Sequence, residues 1–149
     1  MQIYELTCID EEVVAAFTRL MPQLSDLPAP TREDLETMLA SDTCRLFMAR
    51  ADDGQIAGSA ALAVYRTPSG LHAWIEDVVV DDAYRRQGVG EALSVAAIQA
   101  AMSMGVQSLS LTSRPAREAA NRLYQRLGFI RWETNLYRYP LDEADNGSD

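Results

Sequence analysis

Basic residues are scarce in this sequence. Thirteen lysine and arginine residues stand against 22 aspartate and glutamate residues, so the formal net charge is -9 at pH 7. Such a protein repels a nucleic-acid backbone and an anionic membrane surface at long range, so we expect neither as its main partner. A cationic amine substrate is compatible with this charge.

Cysteine and histidine are scarcer still. The chain has two cysteines, Cys8 and Cys44, and one histidine, His72. The cysteines lie in apolar surroundings, with no Cys-x-x-Cys spacing and no histidine cluster, which argues against a disulfide framework and a zinc site. We interpret both as buried, reduced packing residues and expect no metal. His72 is interpreted as an ordinary strand residue rather than a base.

Long apolar runs are also missing. No stretch approaches the length of a membrane span, and no basic segment followed by an apolar run opens the chain, so a cytoplasmic location is the default expectation. The length of 149 residues fits one globular domain with a real core. We expect that domain over residues 1–140 and an acidic, disordered tail over 141–149.

The segment from residue 71 to 104 organises the chain. A β-branched apolar run leads into a polar turn, then into Gly88 and Gly90, and then into an apolar pattern at helical spacing. This order predicts a strand, a loop and a helix. The glycines permit close backbone approach to a ligand, and the unpaired N–H groups of a helix's first turn favour an anion. Arg85 and Arg86 add positive charge beside them.

Apolar periodicity and turn residues predict the other elements. Helices are expected from Asp10 to Met21, from Thr31 to Leu39 and from Pro115 to Leu127. Further strands are expected at 2–7, 44–50, 55–65, 106–112, 129–132 and 135–139.

Two motifs carry a resemblance to a known family. Arg85-Arg86-Gln87-Gly88-Val89-Gly90 matches the Q/R-x-x-G-x-G/A acetyl-CoA motif of the GCN5-related N-acetyltransferase (GNAT) superfamily. Downstream, Asn121-x-x-Tyr124-x-x-x-Gly128-Phe129 resembles a helix end of the same family. The resemblance covers roughly residues 40 to 139.

The resemblance implies an α/β fold of GNAT type. Its central twisted mixed sheet would have about six to seven strands, with helices on both faces. The strands at 71–80 and 106–112 would be parallel neighbours that splay apart, and the cofactor would enter the gap between them.

The resemblance also implies acetyl-CoA as cosubstrate. Backbone amides around the two glycines would hold the pyrophosphate, and strand residues would pair with the pantetheine amides. A plain tight turn and core valines are the competing interpretations. The predicted cofactor-binding residues are Val78, Val79, Val80, Arg85, Arg86, Gln87, Gly88, Val89, Gly90, Asn121 and Tyr124.

Acetyl transfer to an amine also needs an acid and a base. The resemblance places Tyr124 beside the thioester sulfur as the general acid. Glu76 is favoured as the base, and Asp77 is the alternative if a bulge intervenes, because adjacent strand residues point to opposite faces. A carboxylate that faces water or binds arginine is the competing interpretation.

The sequence therefore predicts an acyltransferase, an acetyl-CoA-dependent N-acetyltransferase in which a primary amine attacks directly within a ternary complex. The expected acceptor is a small amine, an amino sugar or an amino-acid derivative. The alternatives are protein N-terminal or lysine acetylation, and a non-catalytic acyl-CoA-binding sensor. By resemblance, a homodimer through the late strands is expected.

Overall fold

The computed structural model of this protein describes residues 1–141. The predicted tail, apart from its first residue, lies outside the described residues. The chain is divided into two compact units, Met1–Leu111 and a second unit that begins at Thr112. The elements in chain order are β1 (Gln2–Glu5), α1 (Glu11–Leu20), α2 (Arg32–Ala40), β2 (Cys44–Arg50), β3 (Ile56–Thr67), β4 (Gly70–Val80), α3 (Val89–Met104), β5 (Ser108–Ser110) and α4 (Glu118–Arg126).

The first unit is built on a mixed sheet of five strands in the order β1-β2-β3-β4-β5. Neighbouring strands are antiparallel from β1 to β4, and β4 and β5 are parallel. The predicted α/β class and the predicted parallel pair are confirmed. Within residues 1–141, no helix is both long and apolar enough to cross a bilayer.

The two late strands were predicted wrongly, so the sheet has fewer strands than the six to seven expected. Residues 129–132 and 135–139 form no strand. Their apolar side chains are largely exposed, as at Ile130 and Tyr137, which are 81% and 87% accessible. A segment rich in apolar and aromatic residues forms a strand only when a neighbouring backbone pairs with it, and this segment has no such ladder in the described chain.

Helices α1 and α2 cover one face of the sheet, called here the helix-pair face. Asp10 caps α1 by accepting from the Val13 N–H, and Thr31 and Asp34 form the predicted capping box of α2. The apolar sides of both helices pack with inward residues of β2 and β4 in one core cluster. Its members include Phe17, Leu20, Leu35, Leu46, Met48 and Val79. Cys44 packs against this cluster and is half-buried, whereas Cys8 is exposed, so the prediction that Cys8 is buried is wrong.

Helix α3 packs against the opposite face, and Gly58 allows it to come close. A Cβ atom at Gly58 would lie 2.7 Å from the Val79 carbonyl oxygen and 3.2 Å from side-chain atoms of Val89 and Leu93. Only glycine fits here without displacing backbone. The end of β4 and the start of α3 are therefore held together at the point where the glycine motif lies.

Candidate active site

The glycine motif forms a loop with a left-handed backbone at two positions. Arg86 has φ of +63° and Gly88 has φ of +79°, and α3 begins at the next residue, Val89. The Gly88 carbonyl accepts the Ala92 N–H at 3.0 Å, and no side chain caps the first turn. Left-handed residues at such a turn gather N–H groups into an anion-binding concavity. The loop therefore has the geometry of a phosphate cradle.

Ion pairs and hydrogen bonds hold the chain that leads into this loop. Asp81, only 8% exposed, accepts from Arg19 Nε at 2.9 Å and from the Ala83 N–H at 3.0 Å. The Tyr84 hydroxyl donates to Asp53 in the β2–β3 turn at 2.6 Å. Arg85 pairs with Asp82 at 2.8 Å, so a phosphate ligand would compete with Asp82 for the Arg85 guanidinium.

Replacing Asp81 with asparagine will lower the free energy of unfolding by about 1–2 kcal/mol at pH 7. The Ala83 N–H bond, followed by Arg19, lowers the pKa of Asp81 in the fold. This stabilisation is therefore present above the unfolded pKa of about 3.9 and is lost as the pH falls through the folded value. Urea denaturation at pH 7 and below about pH 3 measures the difference. Asp26→Asn, in an exposed loop, is the control, and an equal loss at both pH values would contradict the prediction.

Strand β4 has an open backbone edge beyond its short contact with β5. The parallel ladder joins only His72, Ala73 and Trp74 to Ser108–Ser110. From residue 75 to 80, β4 has no strand partner on that edge among the described residues. An extended ligand carrying amide groups can pair with such an edge in the manner of an added strand. Val78, Val79 and Val80 lie on this stretch and run directly toward the glycine loop.

A β-bulge in β4 follows Glu76 directly and contains Asp77. Ala61 pairs with Glu76 and Ser59 pairs with Val79, so Ala60 lies opposite two residues of β4. Asp77 takes φ of +52°, an uncommon conformation for a residue other than glycine. The bulge on which the Asp77 alternative depends is therefore present.

Glu76 lies on the helix-pair face, because it lies opposite Ala61, which pairs with the core residue Leu46. Asp77 lies within the bulge, where the regular alternation of side chains between the two faces is interrupted. Burial, followed by the charge of Asp77, raises the pKa of the Cys44 thiol. Both carboxylates are exposed.

The second unit contains Asn121 and Tyr124 on α4. The Asn121 amide nitrogen donates to the Arg114 and Arg117 carbonyls, each at 2.8 Å. Because both N–H groups are used in this way, a cofactor would be contacted by the side-chain oxygen, Oδ1. Tyr124 is 7% exposed, and burial raises the pKa of its phenol, although Arg117 acts in the opposite direction. The phenol is therefore neutral at physiological pH and carries a proton that it can donate.

The end of α4 holds the Tyr124 ring. Gly128 takes φ of +103° and turns the chain, and the Phe129 N–H donates to the Tyr124 carbonyl at 3.0 Å. The Phe129 ring then meets the Tyr124 ring edge to face, with centroids 5.9 Å apart. Gly128 and Phe129 thus position Tyr124.

Comparison with known proteins identifies the family. The model of the acetyltransferase (GNAT) family matches residues 8–129, a span that includes both the glycine loop and α4. The chain belongs to this family. GNAT acetyltransferases use acetyl-CoA as cosubstrate. The resemblance drawn from the two sequence motifs is confirmed.

Two relatives in the GNAT family differ in the activity that their names give. Mycothiol acetyltransferase of Paenarthrobacter aurescens is 33% identical over 117 residues, which cover 74% of this chain and 36% of the relative. N-alpha-acetyltransferase 30 of Schizosaccharomyces pombe is 35% identical over 75 residues, which cover 50% of this chain and 49% of the relative. The chain thus spans about a third of the first relative and about half of the second.

A solved GNAT structure agrees with the fold. A crystal structure of a Trypanosoma brucei acetyltransferase superimposes with a TM-score of 0.74 at 25% identity. The match covers 93% of this chain and 100% of that one. This similarity supports the mixed sheet and its helices.

Sequence reasoning missed a cluster of polar and aromatic side chains at the start of β4. The cluster comprises Tyr65, Ser69, His72, Trp74 and Ser108. Its members are far apart in sequence or lie on different strands, so apolar periodicity does not reveal it. The turn at 67–70 is the one available signal, because a tight hairpin there places Tyr65 opposite His72.

Proposed function

We propose that this protein is an acetyl-CoA-dependent N-acetyltransferase that acts on a primary amine. The observation that carries the proposal is the open edge of β4, which leads directly into the left-handed glycine loop at the start of α3. An extended amide arm and a pyrophosphate occur together in coenzyme A. Membership of the GNAT family supports the same cosubstrate. The family match crosses both units, which supports one catalytic domain over residues 1–140.

In this proposal, backbone groups do most of the cofactor binding. The N–H groups of residues 86–90 hold the pyrophosphate, and the Arg86 side chain adds charge. The main chain of Val78 and Val80 pairs with the pantetheine amides, and Asn121 Oδ1 accepts from the same arm. When bound, acetyl-CoA supplies an activated thioester carbonyl to the amine.

Three proton transfers accompany the reaction. The amine is mostly protonated at neutral pH, so Glu76 or Asp77, directly or through water, takes one proton before attack. The amine nitrogen then forms the C–N bond, the C–S bond breaks, and the nitrogen loses a further proton, which restores the phenol of Tyr124 once that residue has protonated the thiolate. Tyr124 donates its phenolic proton to the departing thiolate. The raised pKa of Tyr124 keeps the phenol protonated, so this proton is available.

We propose a small amine as the acceptor. The negative net charge and the exposed Glu76 and Asp77 favour a cationic substrate. The mycothiol acetyltransferase relative supports a small molecule, whereas the N-alpha-acetyltransferase relative supports a protein N-terminus as the second candidate. A sensor without catalysis is the third candidate. Cytoplasmic location and homodimer formation stay predictions.

Release of the CoA thiol from acetyl-CoA tests this function. The assay compares amino sugars, polyamines, amino acids and short peptides, with a reaction lacking amine as control. We expect release that requires one class of amine, together with a matching acetylated product by mass spectrometry. Acetyl-CoA binding without release for any acceptor would support the sensor, and release for peptides alone would support the second candidate.

A further inference from the structure

The cluster at the start of β4 is a connected network on one face of the first unit. His72 Nε2 lies 2.8 Å from Ser69 Oγ, and His72 Nδ1 lies 2.6 Å from Ser108 Oγ. The Trp74 indole N–H donates to the Tyr65 hydroxyl at 3.0 Å, and the Tyr65 and His72 rings are 5.6 Å apart. Both imidazole nitrogens are therefore engaged by hydroxyl groups, and the rings are held in place.

Register places this network on the face that bears Glu76. Ala73 and Ile75 are buried on the side of α3, so the alternate residues His72, Trp74 and Glu76 point to the other face. Tyr65 and Ser108 lie directly opposite His72 on its two neighbouring strands. Trp74 thus lies between the hydroxyl groups and the carboxylate, about 7 Å along the strand from each end.

The part of the helix-pair face that bears these residues is accessible. Tyr65 is 42% exposed, His72 and Trp74 are half-buried, and Glu76 is exposed. The order along the strand is a carboxylate, a flat indole, and a histidine with two hydroxyl groups. A ligand ring with an amine at one end and hydroxyl groups at the other can contact the carboxylate, the indole and the histidine group together. Fixed polar groups beside an aromatic surface determine which chemical class of ligand binds and in which orientation.

We infer that this face binds the acceptor, and that the acceptor is a polyhydroxylated amine of the amino-sugar class. The inference rests on the proposed function and narrows it. Trp74, oriented by Tyr65, stacks against the sugar ring. The Ser69–His72–Ser108 group exchanges hydrogen bonds with the sugar hydroxyls, since both serine hydroxyls can donate and accept. The amine then lies toward Glu76.

Direct binding tests the inference without any need for turnover. Isothermal titration in the presence of CoA, which lacks the acetyl group, compares methyl glucosaminide with cyclohexylamine. Both carry one amine on a six-membered ring, and only the first has hydroxyl groups. We expect methyl glucosaminide to bind about tenfold more tightly, the effect of one or two retained hydrogen bonds. Equal affinities, or tighter binding of cyclohexylamine or of a short peptide with a free N-terminus, would overturn the inference.

Two variants locate the binding face. His72→Gln and Ser108→Ala should each weaken the binding of methyl glucosaminide about three- to tenfold and leave the affinity for cyclohexylamine unchanged. Ser103→Ala, on the exposed side of α3, is the matched serine control. Thermal melts show whether each variant is folded, and Ser108→Ala keeps the test valid if His72→Gln is not. Folded variants that bind the sugar as well as the wild type would refute the inference.

Activity measured in parallel separates the two claims. Sugar-selective binding without CoA release from acetyl-CoA would leave the binding face intact and contradict the proposed function. Acetylation of amines without preference for the sugar would leave the proposed function intact and contradict the binding face. Where the wild type acetylates the sugar, His72→Gln should raise its KM and change kcat little, because His72 contacts the hydroxyls and not the amine.

Discussion

Tyr124→Phe will lower kcat by about 10²- to 10³-fold while the Kd for acetyl-CoA changes less than about twofold. The substitution removes only the hydroxyl, so the departing thiolate loses its proton donor. The ring that packs against Phe129 is retained, and with it the position of α4's end. Stopped-flow or steady-state release of the CoA thiol measures kcat, and titration calorimetry measures Kd.

A matched control exists for this prediction. Tyr137→Phe removes the same atom from a tyrosine that is 87% exposed, and should leave kcat unchanged. Because burial raises the pKa of Tyr124 above the usual value of about 10, the wild-type acid stays protonated throughout the neutral range. Any loss of activity that deprotonation of Tyr124 causes at high pH must have its midpoint above about pH 10. Wild-type kcat in Tyr124→Phe would remove this residue from the mechanism.

Gly88→Val will weaken acetyl-CoA binding by at least about 100-fold. A valine side chain at φ of +79° would project from the cradle that Gly88 forms and would block the approach of the pyrophosphate to the N–H groups of the loop. Hydrogen bonds to a charged group contribute about 1.5–3 kcal/mol each, so two lost bonds exceed 100-fold. Titration calorimetry with CoA measures the change.

The other end of α3 provides the control. Gly105 has φ of +72° and, like Gly88, has no atom within 4 Å of an added Cβ outside its immediate chain neighbours. Gly105→Val thus imposes similar backbone strain on the same helix, about 1–2 kcal/mol, far from the glycine motif. We expect both variants to melt at similarly lowered temperatures, and only Gly88→Val to lose affinity for CoA. Equal CoA affinity in the two variants would contradict the assignment of the loop.

The sequence predicts the glycine loop well because that structure is local. Gly88, its arginine neighbours and the apolar period of α3 are contiguous, and the left-handed conformation at Gly88 follows from the residue type. The capping residues Asp10 and Thr31 are predictable for the same reason. In each case a few neighbouring residues determine the conformation.

Features that depend on pairing between distant strands are not predictable in this way. The bulge at Asp77 requires knowledge of the register between β3 and β4, and nothing in the run 71–80 alone marks it. The contacts of His72 with Ser69 and Ser108 require both neighbouring strands. The wrongly predicted late strands show the same limit, since the apolar and aromatic residues of 129–139 do not themselves supply a partner strand, and none pairs with them in the described chain.

Transfer of an isotopically labelled acetyl group tests direct attack within a ternary complex most directly. The protein is mixed with labelled acetyl-CoA, with and without an accepted amine, and intact-protein and small-molecule mass spectra are recorded over a single turnover. The chain contains no lysine, so a labelled protein would point to Cys8, Cys44 or another nucleophile rather than to background lysine acetylation. We expect label in the amine when amine is present and unlabelled protein at every time. Labelled protein that forms without amine and then passes its label to added amine would contradict direct attack.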